Sequence, residues 1–178
     1  METFEVSLEI AAPVDKVMAA FWDVTRWPEV APHVTETSLI YDDQDVQVIM
    51  MKVVTLGRVD RFKTVRVRQG LRIHFIQPTP PAIFHFHTGI WHFKELPLDL
   101  KATAAPVSVV SVTHNMQTNT DAAKDFLRTK VAGWNGPDTQ EGILTAMQQV
   151  ISNNSLQTIR GLKTLVEREY THAEYAVQ

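Results

Sequence analysis

The order in which two hydrophobic periodicities follow one another constrains this chain more than any single motif does. From about residue 33 to residue 116, apolar and polar residues alternate in six successive segments, which are separated by short breaks such as DDQD, Gly57 and Gln69-Gly70. Alternation with a period of two is typical of strands that bury one face. Because the connections are too short for crossover helices, the pattern predicts an antiparallel meander.

Helical patterns lie on both sides of this meander. A further strand over residues 3–10 comes first, and AAPVDKVMAAFWDV and TRWPEVAP then predict two short helices. Near the other end, Asp138 and Glu141 have the spacing of a capping box and predict a long helix over about 138–171. The chain is therefore predicted to be α+β, with a curved seven-stranded antiparallel sheet wrapped around a long C-terminal helix.

Composition restricts the possible functions. A length of 178 residues with 44% hydrophobic content predicts one domain over residues 1–178 with a sizeable core. The net charge of -3 provides no excess of basic residues for binding nucleic acid. The lack of cysteine excludes disulfides and thiolate chemistry. No apolar run approaches 18 residues, so we expect a cytoplasmic protein without a membrane segment.

Motifs for covalent or cofactor chemistry are missing from the sequence. Ser108 and Ser111 lie in a predicted strand without a nucleophile-elbow motif, and the sequence has no Gly-rich phosphate loop. Neither a nucleophilic triad nor a bound cofactor is predicted.

Two stretches near the N-terminus resemble a known family. An Ala-Pro pair precedes the first predicted helix and Trp27-Pro28-Glu29 follows it, within APVDKVMAAFWDVTRWPEVAPHV. These features are similar to the START-like (helix-grip) superfamily and, within it, to polyketide aromatase/cyclases, and a looser similarity extends to about Glu169. The resemblance implies a helix-grip fold whose internal cavity is the binding site.

The resemblance also implies an arginine in that cavity. Polyketide cyclases carry it on the fourth strand, at the position of Arg66, and a period of two would place Phe62 and Thr64 on the same inner face. A guanidinium there would hold an enolate or carbonyl oxygen on which negative charge develops. The alternative is a salt bridge between Arg66 and Asp60 on a partly exposed strand.

Trp27 and Trp91 resemble two cavity aromatics of the same family. Flat aromatic walls suit a polyketone that closes into an aromatic ring, although ordinary core packing suits them equally well. The sequence departs from the family at Val34, because a polyketide cyclase of the family carries a cavity tyrosine at this position. Proton transfer by that phenol therefore cannot be carried over.

The segment AIFHFHTGIWHF, residues 82–93, contains three histidines. If Trp91 faces inward, a period of two places His85, His87 and Phe93 inward as well, and His92 outward. A neutral imidazole can accept and donate protons near neutral pH, and an aldol cyclisation needs both steps. The alternative is that these histidines are hydrogen-bonded wall residues.

The last strand adds a further histidine. The resemblance assigns its Val110, Val112 and His114 to the interior, so that His114 would join the other two inward imidazoles. A His-x-His pair with a third histidine is also a metal-binding arrangement, as in zinc or cupin iron sites. A cupin would need a glutamate where Trp91 stands, and we predict no metal.

Three functions remain open at this point. The first is a polyketide aromatase/cyclase that binds a poly-β-ketone attached to an acyl carrier protein and promotes regiospecific aldol closure and dehydration. The second is a non-catalytic binding or transfer protein for a quinone or lipid, and the third is a histidine-ligated metalloenzyme. Basic side chains that could meet an acidic carrier, or form a solvated face, are Arg58, Arg61, Lys63, Arg68 and Arg72. The loop over 133–138 is either a lid or a helix-helix turn.

Overall fold

The computed structural model describes residues 1–97, 106–131, 136 and 138–175, with side chains described as far as residue 171. The strands are β1 (Glu2–Ile10), β2 (Val34–Asp42), β3 (Val46–Thr55), β4 (Arg58–Gln69), β5 (Arg72–Ile76), β6 (Phe84–Glu95) and β7 (Ser108–Thr118). The helices are α1 (Val14–Trp22), α2 (Trp27–Val30), α3 (Thr120–Lys130) and α4 (Gln140–Tyr175), and a 3-10 turn over Val24–Arg26 lies between the first two.

All the strands belong to one seven-stranded sheet, in the order β1-β7-β6-β5-β4-β3-β2, and every neighbouring pair is antiparallel. The predicted meander and α+β helix-grip architecture are confirmed. Two-residue turns produce the tightest connections, and Leu56, Gly57 and Gly70 have positive φ angles of 49°, 76° and 56° there. Glycine adopts this backbone region without steric cost, which explains the breaks seen in the sequence.

The long helix α4 begins later than the sequence predicts. Thr139, rather than Asp138, accepts a hydrogen bond from the backbone N–H of Gly142, at 3.2 Å. The Asp138 carboxylate instead contacts Lys124 at 3.3 Å and Arg128, both on α3. The helix runs without a break through the polar stretch SNNS, because apolar residues on either side keep helical spacing.

The predicted loop at 133–138 lies outside the described residues, except for positions 136 and 138.

The core consists of two clusters along α4. One lies between the sheet, α1, α2 and the C-terminal half of α4, and includes Phe21, Trp91 and Leu162. The other lies between α3, the N-terminal half of α4 and the edge of the sheet, and includes Phe126 and Met147. The concave face of the sheet between these clusters faces α4.

Gly161 allows α4 to approach α2 closely. A Cβ atom at this position would lie 1.8 Å from the backbone oxygen of Val30. Backbone cannot yield as a flexible side chain can, so the helix reaches this position only with a hydrogen at residue 161.

We therefore expect Gly161→Ala to destabilise the protein by about 1 to 3 kcal/mol, since overpacking outweighs the ~1 kcal/mol by which alanine favours a helix. Urea unfolding followed by circular dichroism would measure this. Arg160→Ala, at the exposed neighbouring position, is the control and should change the free energy of unfolding by less than about 0.5 kcal/mol. A more stable Gly161→Ala variant would contradict the close approach.

Candidate functional site

A cavity of about 140 Å³ lies between the concave face of the sheet and α4. Most of its lining is apolar, with aromatic walls from Trp27, Phe62, Phe75, Phe84 and Trp91. The polar residues in its wall are His33, Thr55, Asp60, Thr64, Arg66, Gln77, His87, His114, Asn154, Ser155 and Thr158. An apolar space with a few convergent polar groups has the character of a small-molecule site.

Arg66 lies at one end of the cavity and is 2% exposed. Its Nη1 donates to the Phe21 carbonyl at 3.3 Å and its Nη2 to the Trp22 carbonyl at 2.9 Å. These carbonyls belong to the last turn of α1, where a helix leaves its C=O groups without partners and favours a cation. The alternative role for Arg66, a salt bridge with Asp60, is not formed, and Asp60 pairs instead with Arg58 at 2.9 Å.

Aromatic rings surround the same guanidinium. Its central carbon lies 4.6 Å from the ring centre of Trp22, 5.3 Å from that of Trp27 and 5.4 Å from that of Phe21. Burial lowers the pKa of Arg66 to about 9, while the charge of Asp42 acts to raise it, so the group remains cationic at neutral pH. Its Nε atom is buried without a hydrogen-bond partner among the described residues. The terminal nitrogens are thus bound to α1, but the positive charge stays at the cavity wall.

Two buried histidines form the second polar feature. His87 and His114 are 6% and 4% exposed, and the His87 Nε2 to His114 Nδ1 distance is 3.0 Å. The outer nitrogens are also bound: His87 Nδ1 lies 3.0 Å from Gln77 Oε1, and His114 Nε2 lies 2.8 Å from Ser155 Oγ. Burial lowers the pKa of His87 to about 4 and, with a smaller effect of His87 itself, that of His114 to about 3. Both rings are therefore neutral at pH 7.

The prediction that His85 faces inward is wrong. The register of β6 against β7 shifts between Phe84 and Phe86, which is the signature of a β-bulge at this point. The bulge places Phe84 and His87 on the inner side and leaves His85 exposed. A strict period of two fails there, and with it the predicted group of three inward histidines.

The metal-binding alternative required His85, His87 and His114 to converge, and the exposed position of His85 prevents this. Across the residues that the structure describes, no three histidine, aspartate or glutamate side chains are grouped as metal ligands would be.

The other predicted inward residues divide into two groups. Trp27, from α2, and Phe62, Thr64 and Trp91, from the inner face of the sheet, line the cavity. The remaining three, Phe93, Val110 and Val112, are buried but pack in the core cluster with Phe21, outside the cavity wall. An inward position in the sheet therefore did not guarantee contact with the cavity.

Several lining residues were missed by the sequence prediction. Gln77 follows directly after β5, and Asn154, Ser155 and Thr158 lie on one face of α4. Polar residues at positions i, i+1 and i+4 within an otherwise apolar helical stripe were a usable signal that the helix covers a polar cavity. His33 gave no such signal, since it lies in the connection between α2 and β2.

Comparisons with known proteins agree with this fold. A family model described as polyketide cyclase / dehydrase and lipid transport matches residues 10–133. No curated protein sequence matches the chain. None of the helices in the described part of the chain has the length and apolar character needed to cross a bilayer.

Solved structures of aromatase/cyclases are similar to this chain. The Zhui aromatase/cyclase from Streptomyces sp. R1128 is 22% identical with a TM-score of 0.74, and the match covers 95% of each chain. The di-domain ARO/CYC proteins StfQ, of the steffimycin pathway, and BexL, of the BE-7585A pathway, are 23% and 26% identical with TM-scores of 0.72 and 0.70. These two matches cover 95% and 93% of this chain but only 52% and 50% of the di-domain chains, so it spans about half their length.

The Arg66 contacts lead to a stability prediction. Arg66→Ala would leave a hole among the aromatic rings and remove the partner of both α1 carbonyls, so we expect a loss of about 3 kcal/mol in the free energy of unfolding. The matched control is Arg61→Ala on the outer face of the same strand, where the side chain is 62% exposed and pairs with Glu36. Urea unfolding should show a loss below about 1 kcal/mol for that control. Equal stabilities of the two variants would contradict a structural role for Arg66.

The histidine burial leads to a pH prediction. An unfolded chain binds protons on histidine near pH 6.5, whereas the pKa values of about 4 and 3 keep folded His87 and His114 neutral. The free energy of unfolding should therefore fall as the pH decreases from 6.5 to 4, by up to about 1.4 kcal/mol per pH unit for each such histidine. Urea unfolding between pH 8 and pH 4.5 would measure the slope. His114→Asn should make it shallower and the exposed-site control His85→Gln should not, whereas a slope unaffected by His114→Asn would refute the buried neutral ring.

Proposed function

Because this chain belongs to the polyketide cyclase, dehydrase and lipid transport family, we propose that it is a polyketide aromatase/cyclase. It binds a carrier-attached poly-β-ketone in the cavity and promotes regiospecific aldol cyclisation, followed by dehydration to an aromatic ring. The observation that carries this proposal is the combination, in one aromatic-walled cavity, of a fixed cation with two neutral imidazoles.

The chemistry requires both kinds of group. An aldol closure removes a proton from an α-carbon and places negative charge on an oxygen. Arg66 stabilises that oxygen through its charge, whose effect is strong beside a mostly apolar wall. His87 and His114 serve the proton transfers as neutral rings. A poly-β-ketone also has acidic α-carbons, so much of the rate gain comes from holding the reacting atoms in one register.

The aromatic walls select that register. Trp27 and Trp91 are held by the Phe21 ring, at centroid distances of 5.0 Å and 4.6 Å, so they present fixed surfaces. Flat surfaces favour the planar product and the extended conjugated enol that precedes it. Phe62 and Thr64, also on the inner face of β4, complete the wall beside Arg66.

The carrier protein is the proposed partner. An acyl carrier protein is acidic, and the outer face of β4 carries the exposed basic side chains of Arg61 and Lys63. Arg72 on the neighbouring strand β5 is also exposed, whereas Arg58 and Arg68 lie on the other face of β4 and pair with Asp60 and Asp45. This arrangement favours an encounter that weakens with increasing salt.

A second candidate is a binding protein for a hydrophobic molecule. It is favoured by the commitment of both terminal nitrogens of Arg66 to backbone carbonyls, which makes them part of the fold. Such a protein would co-purify with a hydrophobic guest and change no product. Native mass spectrometry of the purified chain, followed by solvent extraction, would detect that guest.

Product analysis tests the enzymatic proposal. A ketosynthase, its carrier and malonyl units would make a linear poly-β-ketone in vitro, and chromatography with mass spectrometry would compare the products with and without this chain. We expect one aromatic product to increase over the mixture from spontaneous cyclisation. His114→Asn should return the mixture towards the spontaneous one, and the outer-face control His92→Gln should not. An unchanged product mixture with the wild-type chain would reject the cyclase function.

A further inference from the structure

Four polar side chains of the cavity wall form one continuous chain of hydrogen bonds. It runs from Gln77 at the end of β5, through His87 on β6 and His114 on β7, to Ser155 in the middle of α4. The three successive contacts measure 3.0, 3.0 and 2.8 Å, which is normal hydrogen-bond length. All four residues line the cavity.

Every ring nitrogen of the two histidines is engaged in this chain. His87 uses Nδ1 for Gln77 and Nε2 for His114, and His114 uses Nδ1 for His87 and Nε2 for Ser155. Neither imidazole can therefore act alone on a guest molecule in this arrangement. The groups with spare hydrogen-bonding capacity are the ends, namely the Ser155 hydroxyl and the Gln77 amide.

The chain can exist with two polarities. In the first, Ser155 donates to His114 Nε2, His114 Nδ1–H donates to His87 Nε2, and His87 Nδ1–H donates to the Gln77 oxygen. In the second, the Gln77 amide group has turned, so that its NH₂ donates to His87 Nδ1, and each later bond is reversed until His114 Nε2–H donates to Ser155. Both arrangements satisfy every polar atom, because a neutral imidazole has one donor and one acceptor nitrogen.

The surroundings of the pair favour neutral rings in both arrangements. Phe4 and Phe84 pack against His114 and His87 at centroid distances of 5.1 Å, and the Phe75 ring lies 5.4 Å from His87 and 5.7 Å from His114. Burial among these rings holds the pKa of both histidines far below 7, which disfavours an imidazolium intermediate. A switch from one polarity to the other needs no charged ring.

We propose that this chain is a bifunctional proton relay, in which Ser155 removes a proton from the α-carbon of a bound 1,3-dicarbonyl compound while His87 delivers one to its carbonyl oxygen. The inference rests on the proposed cyclase function and assigns the enolisation step of the same cavity. It adds Ser155 as the group that contacts the α-carbon and Gln77 as a positioning residue.

The protons balance as follows. The α-carbon proton passes to Ser155 Oγ as the hydroxyl proton passes to His114 Nε2. The Nδ1 proton of His114 passes to His87 Nε2, and the Nδ1 proton of His87, after the Gln77 side chain has turned away, passes to the carbonyl oxygen. One C–H bond breaks, one O–H bond forms, and the C–H electron pair becomes the C=C bond of the enol. Both rings change tautomer and neither becomes charged, and the opposite transfer restores the first state.

Deuterium exchange tests the relay without ring closure. The probe is the acetoacetyl thioester of N-acetylcysteamine in D₂O, and ¹H NMR measures loss of its α-protons above the buffer rate. We expect Ser155→Ala to reduce the catalysed rate about 100-fold, in the range of a lost general base, with little change in the KM for the thioester. Ser155→Thr, which keeps the hydroxyl, should restore part of the rate, and His92→Gln should behave as wild type. Wild-type exchange by Ser155→Ala would overturn the relay.

A spectroscopic measurement on the wild-type protein tests the relay even if the Ser155 variants fold poorly. ¹⁵N NMR of the imidazole nitrogens at pH 7 should show both tautomers of His87 in the wild-type protein. Gln77→Glu places a carboxylate beside His87, and an ionised carboxylate accepts hydrogen bonds but cannot donate them. This variant should therefore retain only the Nδ1–H tautomer of His87. It should also lower kcat for exchange more than it alters KM. A single fixed tautomer in the wild-type protein, or an imidazolium signal, would overturn the relay.

The two proposals fail separately. Catalysed exchange that depends on Ser155, without any effect on the aromatic product, would reject the cyclase function and keep the relay. A changed aromatic product together with exchange that is independent of Ser155 would do the reverse.

Discussion

A buried positive charge ties the first helix to the middle of the sheet. Arg66 projects from β4, its Nη atoms satisfy the last carbonyls of α1, and the rings of Trp22 and Trp27 pack around it. Charge burial is costly unless it is compensated, and here the partial negative charge of a helix end and three aromatic faces compensate it. This contact holds the end of α1 against β4 and places Trp27, whose Nε1 donates to the same Phe21 carbonyl, beside the guanidinium.

The histidine pair depends on hydrogen bonding rather than on charge compensation. Polar atoms inside the fold need hydrogen-bond partners, and His87 and His114 obtain them from each other and from the two flanking residues. The result is a neutral polar strip across an apolar space. Placing a charged and an uncharged polar group in one cavity gives a guest two different electrostatic surroundings within a single site.

Much of the fold could be predicted from the sequence because strand alternation and turn chemistry are local. The meander and the inner face of β4 followed from a period of two that β4 keeps along its length, whereas the position of Arg66 came from the resemblance to polyketide cyclases. The same rule failed at His85, because a β-bulge depends on the pairing partner β7 and leaves no mark in the periodicity of β6. The long helix α4 was predicted, but its first turn is capped by Thr139 rather than by the neighbouring Asp138, whose contacts with α3 no local motif encodes. Gln77 was missed because a residue just after a strand becomes part of a site only through its tertiary neighbours, whereas Ser155 was missed although the polar interruption of the apolar stripe of α4 was a usable signal.

The tight packing at Gly161 determines which part of the long helix can adjust to a guest. Close backbone contact with Val30 pins α4 there, about two turns beyond Ser155 and on the side away from α3. Leu162, Leu165 and Val166 also pack in the core cluster with Phe21, so this half of α4 is held close to the helix end that binds Arg66. Adjustment to guests of different length is therefore left to the part of α4 that borders the cavity at Ile151 and Asn154, beside Phe126 of α3.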